Sequence, residues 1–166
     1  MKIITIIIAI LLLAIGGFWL YGALQPTAYS KSASKDLRMT PLETWFKLQD
    51  HEAMGRWHPD IDSVVWANDK YGLNAEYIYY FVSGDSLRIR TTEYEPFTRF
   101  ATTITDTTLP FSGSWTYELE EIPGGTHLTV TENSELHGAF IRALYNLMQS
   151  DTSTAERFLT YFGAQK

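Results

Sequence analysis

Residues Ile3 to Leu24 form an unbroken run of 22 uncharged residues, nearly all apolar. A helix of that length spans about 33 Å at about 1.5 Å per residue, against a bilayer hydrocarbon core of about 30 Å. The run has no polar face at all, which argues against a buried core helix of a globular domain. Trp19 and Tyr21 lie near its end, where interfacial aromatics anchor a span, and Gln25 and Pro26 close it. A cleaved signal peptide has a shorter apolar core, about 7–15 residues, followed by a small-x-small site. Here the core is longer, and the pairs Tyr21/Ala23 and Pro26/Ala28 make poor sites. Residues 1–25 therefore read as a retained transmembrane anchor and residues 26–166 as one domain. Lys2 precedes the span and Lys31, Lys35 and Arg38 follow it, so the positive charges divide between the two sides. The very short basic N-tail before an export-like segment favours the N-terminus inside and the domain on the extracytoplasmic side.

Beyond the anchor the chain is long enough for one domain with a substantial core. Of 13 Lys+Arg, one is Lys2; against 19 Asp+Glu the rest of the chain carries about −7. With no basic cluster, nucleic acid is not an expected partner, nor is tight docking on anionic lipid. The absence of cysteine excludes disulfides, thiolate metal sites and a cysteine nucleophile. Aromatic residues are frequent, with 5 Trp, 10 Tyr and 9 Phe. They serve equally to fill a core or to line an apolar pocket.

A polar strand is expected over about Tyr29 to Met39. Thr40-Pro41-Leu42-Glu43 then gives a helix start, with Thr as N-cap, Pro at the first position and Glu completing a capping box. A short helical piece, about Asp50 to Met54, leads to Trp57-His58-Pro59. From Ile61 to Glu135 the pattern becomes strands: Ser63–Ala67, Ala75–Val82, Leu87–Tyr94, Phe97–Thr105, Phe111–Glu120 and one beginning near His127. Pro123-Gly124-Gly125-Thr126 signals a hairpin. From about His137 to Phe162, apolar residues at Phe140, Ile141, Leu144, Leu147, Met148, Ala155, Phe158, Leu159 and Phe162 predict one long amphipathic helix. Short turns make the sheet antiparallel. One-faced strands and a one-striped helix are best buried by curling the sheet around the helix.

The order of elements, with Thr40-Pro41 and Trp45, Trp57-His58-Pro59-Asp60, Gly113-Ser114-Trp115, the Pro123-Gly124-Gly125-Thr126 turn and Phe158-Leu159, resembles the START-related, birch-pollen-allergen-like superfamily. That group is also labelled SRPBCC or polyketide cyclase/dehydrase-like. The resemblance covers about residues 28 to 165; the N-terminal anchor is an addition to it. It implies an α+β helix-grip fold, a curved antiparallel sheet of about seven strands wrapped around a long C-terminal helix. It also implies a deep cavity that holds hydrophobic or amphipathic molecules. A shared fold does not choose between binding, catalysis and protein interaction.

The expected pocket lining is Trp57, Tyr79, Phe81, Trp115 and Tyr117, with Leu144 and Met148 from the closing helix. Residues 77–82 are apolar on both faces, so parity leaves open whether Tyr79 or Tyr80 points inward. Glu93 shares a strand face with Leu87 and Ile89, and Glu132 with Leu128 and Val130, so each is a candidate inward carboxylate. Glu118 and Glu120, and likewise Arg88 and Arg90, fall on solvent faces. His51 and His58 have no metal-ligand spacing and read as solvated loop residues, and His127 as exposed. There is no nucleophile elbow, phosphate loop or dinucleotide fingerprint. No catalytic residue, metal ligand or cofactor is assigned. The leading expectation is a membrane-anchored domain that binds a hydrophobic or lipid-like small molecule. Alternatives are a cyclase or hydratase-type enzyme using Glu93 or Glu132 with a Tyr, and a protein-interaction module at the membrane.

Overall fold

A computed structural model of the chain describes residues 2–148 and 152–164. Helix α1 (Lys2–Ala23) takes up the apolar run, and its large side chains other than Phe18 are exposed. By length and composition this helix is able to cross a membrane. The strands are β1 (Ala28–Leu37), β2 (Ile61–Trp66), β3 (Glu76–Phe81), β4 (Ser86–Glu95), β5 (Arg99–Ile104), β6 (Phe111–Ile122) and β7 (Gly125–Leu136). They form one sheet in the order β1-β7-β6-β5-β4-β3-β2, antiparallel throughout. The turn between β6 and β7 places Pro123 first and Gly124 second, with Gly124 at φ +85°, as a type II turn requires.

Consecutive strands β1 and β2 lie on opposite sheet edges. Helix α2 (Pro41–Gln49), a 3-10 turn (His51–Ala53) and α3 (Met54–Trp57) carry the chain between them. The start of α2 is fixed by its capping box: the Glu43 N–H donates to Thr40 Oγ1 and the Thr40 N–H donates to Glu43 Oε2. Such a cap contributes about 1 kcal/mol. Trp45 on α2 is then driven into the core, edge-on to Tyr94 and Phe100 at 5.2 and 5.6 Å between ring centres.

The segment expected to form one helix from His137 to Phe162 forms two, α4 (Ala139–Met148) and α5 (Thr154–Gly163). Residues 149–151, which that expectation also covered, lie outside the described residues. Gly138, at φ +91°, separates β7 from α4. Ser153 adopts an extended backbone (φ −70°, ψ 160°) and heads a second capping box with Glu156, so α5 starts afresh there. The helix that the sheet grips is α5. It packs on β1 and β7, and Phe158, Leu159 and Phe162 are buried in the core. Lys35 and Lys47 donate to its carbonyls at Leu159 and Phe162. Helix α4 packs instead against α1.

Candidate functional site

Two cavities lie between the sheet and the C-terminal helices. The inner one, about 340 Å³, is walled by Tyr79, Phe81, Phe100, Trp115 and Tyr117 from the sheet and covered by Phe158 of α5. Leu48 and Met54, from the connection between β1 and β2, also line it. The outer one, about 480 Å³, lies under α4, between Leu144, Tyr145 and Met148 on one side and Trp115, Glu132 and Phe111 on the other. Trp115, Thr154 and Arg157 border both. Arg157 is ion-paired with Asp60.

The inner cavity holds one buried polar pair. His51, 4% exposed, places Nδ1 2.7 Å from the Tyr79 hydroxyl. Its ring lies 4.0 Å from that of Tyr77. Burial holds the His51 imidazole down at about 4 and pushes the Tyr79 phenol up. Both are therefore uncharged at neutral pH. Either His51 tautomer can share one hydrogen with Tyr79, and the pair keeps hydrogen-bonding capacity for a guest.

The outer cavity is lined by Glu132 and Lys31, whereas the charged residues of the inner one, Asp60 and Arg157, are paired with each other. Glu132 accepts from the Ser134 hydroxyl at 3.2 Å and stands opposite Lys31 across the β1–β7 pair; both line the cavity. Burial first, and then the Glu132 charge, push the Tyr117 and Tyr145 phenols up. A carboxylate and two phenols therefore occupy one neighbourhood.

The residues expected from the sequence divide between these regions. Tyr79, Phe81, Trp115 and Tyr117 line the inner cavity; Glu132, Leu144 and Met148, with Trp115, line the outer one. Tyr79 points inward and Tyr80 outward. Trp57 lines neither. It packs edge-on to Phe158 and Phe162 at 5.6 and 5.7 Å, behind the inner cavity's cover. Glu93 is on the outer face, half-exposed and bonded to Arg99 at 2.9 Å. The cause is a bulge: the β4–β5 register passes from Thr91↔Thr102 to Glu93↔Ala101, which reverses the alternation and turns Tyr94 toward the core in place of Glu93. Arg88 and Arg90 pair with Glu76, and Glu118 with Arg99, on exposed faces. His127 meets Asp36 on the outer face.

His51 is a correction: it is buried, where a solvated loop was expected. The signal was its spacing, since Trp45, Leu48 and His51 follow one another at intervals of three and all three are buried. No group of three or more His, Cys, Asp or Glu residues able to hold a metal occurs among the described residues.

Residues 30–156 match the family described as polyketide cyclase / dehydrase and lipid transport. The chain belongs to this family. An uncharacterized protein of Mycobacterium tuberculosis is 29% identical over 127 residues, which are 75% of this chain and 76% of that one. Among solved structures, a START superfamily protein from Mycobacterium smegmatis matches with a TM-score of 0.61 at 13% identity, covering 81% of this chain and 94% of that one. Norcoclaurine synthase from Thalictrum matches with a TM-score of 0.64 at 7% identity, covering 82% and 92%. At these identities the solved structures establish the helix-grip fold and nothing finer. Helix α1 precedes the matched residues, and α4, within them, packs against it.

Proposed function

We propose that this protein is a membrane-anchored binding domain for a hydrophobic small molecule that carries one uncharged polar group. The observation that carries this reading is the inner cavity: aromatic walls, a volume within the usual ligand-site range of about 300–1,000 Å³, and a single buried neutral pair, His51 and Tyr79, in its lining. A neutral imidazole and phenol can recognise an alcohol, ketone or quinone oxygen. They offer no counter-charge to a carboxylate or phosphate, which a buried site would have to neutralise, and Arg157 at the cavity's border is already paired with Asp60. α1 holds the cavity at the bilayer, where such molecules concentrate.

The test is native mass spectrometry of the full chain, followed by thermal melts with long-chain alcohols, sterols and quinones. A ligand at about 100 times its Kd stabilises by about 2.7 kcal/mol, a shift of several degrees. A corresponding fatty acid should shift the melt less than the alcohol, and Tyr79→Phe should narrow that difference. Failure of every apolar probe, with no co-purifying ligand, removes the binding reading. We place the domain on the extracytoplasmic side; a reporter active only in the cytoplasm, fused after Lys166, should stay silent.

The cyclase or hydratase reading survives in one form, with Glu132 and Tyr145 in the outer cavity. Turnover of a polyketide-like substrate, abolished by Glu132→Gln, would establish it.

A further inference from the structure

We propose that the apolar face of α4 lies in the headgroup–acyl boundary of the bilayer that α1 crosses, so that the outer cavity opens onto lipid. This rests on the reading of α1 as a membrane span.

The face is defined by spacing and exposure. Phe140, Leu144, Leu147 and Met148 fall at i, i+4, i+7 and i+8, one side of a helix. All four are between 41% and 73% exposed, while Ala139 and Ala143, also on α4, are buried. A contiguous apolar patch of this kind on a domain surface marks an interaction site.

The position of the face relates it to the membrane. α4 is joined to the last turns of α1 by three contacts. A Cβ on Gly22 would stand 1.8 Å from the Ala139 carbonyl oxygen, so the two backbones touch and only glycine fits. Arg142 Nε donates to the Gly22 carbonyl at 2.9 Å, capping an acceptor at the C-terminus of α1. Phe18 packs on Phe140 with ring centres 5.0 Å apart. Phe18 is five residues from the end of α1, about 7.5 Å along the axis. In a helix only slightly longer than the hydrocarbon core, that depth is about 6 Å inside the hydrocarbon edge, within the roughly 5–10 Å to which an interfacial helix buries its apolar face. Phe140 is held at the same depth.

Charge distinguishes lipid from an electrostatic partner. Arg142 is the only charged residue of α4, and it is engaged with Gly22. Interfacial helices that depend on anionic lipid present Lys and Arg on their polar face; α4 does not. Its insertion should rest on apolar burial and should not require anionic lipid. Leu144 and Met148 belong both to this face and to the rim of the outer cavity, which places the cavity mouth at the lipid.

The chain has no cysteine, so single-cysteine variants need no background removal. The full chain would be reconstituted in phosphatidylcholine vesicles whose acyl chains carry bromine. An environment-sensitive fluorophore would be attached in turn at Ile8→Cys, Leu147→Cys and Glu121→Cys, the last beside the β6–β7 turn at the far end of the sheet. The expected result is several-fold quenching at positions 8 and 147 and little at 121, unchanged when phosphatidylserine is added. Quenching at 8 but not at 147 overturns the proposal and leaves the anchor standing. Absence of quenching at 8 overturns both. A signal at 147 that follows protein concentration rather than bromine, with disulfide-linked dimers of Leu147→Cys, assigns the face to a second copy and also overturns the proposal. Because Leu147 is exposed, the label should leave the fold intact, which circular dichroism checks.

Discussion

Helices α4 and α5 carry the same kind of apolar stripe and meet opposite surroundings. Phe158, Leu159 and Phe162 of α5 are sealed against the sheet, whereas Phe140, Leu144, Leu147 and Met148 of α4 are open. In an unbroken helix Phe140 and Phe158 would stand about five turns apart on one face. The extended backbone at Ser153 interrupts that register, and each half then takes its own partner: the sheet for α5, the end of α1 for α4. The cavities beneath them differ in the same way. The one under α5 holds a neutral buried pair, with Asp60 and Arg157 paired at its border; the one under α4 holds Glu132 and Lys31. An apolar stripe by itself specifies only that something apolar must cover it. Which element does so is decided by where the chain breaks.

The largest test of this contrast is a pair of truncations. Phe162 has no exposed surface, so Phe162→Ala should cost about 3–5 kcal/mol in denaturant unfolding. Leu147→Ala, measured in detergent micelles, should lie within about 0.5 kcal/mol of the parent, as for other exposed sites. Equal costs would mean that α4 is packed as core and that the contrast is wrong.

Acid should affect the inner region next. Between about 4 and the ordinary 6.5, His51 in the unfolded chain takes up a proton that the buried imidazole does not. The unfolded state then binds more protons, so stability falls as pH drops through that window and is regained above it. The full difference corresponds to about 3 kcal/mol. His58 is also held down by burial and adds in the same direction. Unfolding midpoints at pH 7 and pH 5 should show the loss in the parent, and a flatter profile in His51→Gln. An unchanged slope in that variant would remove His51 from the inner region's acid response.

Much of this architecture was legible because its cause is local. The capping box at Thr40, the alternation of β6 and the turn at Pro123-Gly124 are short-range signals, and each lies where it was expected. Glu132 kept the parity of Leu128 and Val130 along an uninterrupted pairing. Glu93 lost its parity to a bulge that alternation alone does not reveal. A histidine between two helices reads as polar, while the burial of His51 depends on Tyr77 and Tyr79 arriving from β3. The Ser-x-x-Glu signature at Ser153 is as local as that at Thr40, but the apolar stripe on both sides of it has the period of one continuous helix and masks the break.

The smallest effect concerns that break. Ser153 Oγ accepts the Glu156 N–H at 3.1 Å, and the Ser153 N–H donates to Glu156 Oε2 at 2.8 Å. Ser153→Ala removes the first of these bonds and should cost about 1 kcal/mol, leaving an N–H of the first turn of α5 without its protein acceptor. Helical content by circular dichroism should stay level or fall. The alternative is that the apolar stripe prefers one continuous helix and that Ser153 alone interrupts it. Alanine, the best helix former, would then let α4 and α5 join. Helicity would rise, the variant would be at least as stable as the parent, and α4 would be drawn from α1 toward the sheet. That outcome would make the separation of the two helices a property of one side chain. A loss of about 1 kcal/mol without added helix would place its origin in the competing partners, with α1 holding one half and the sheet the other.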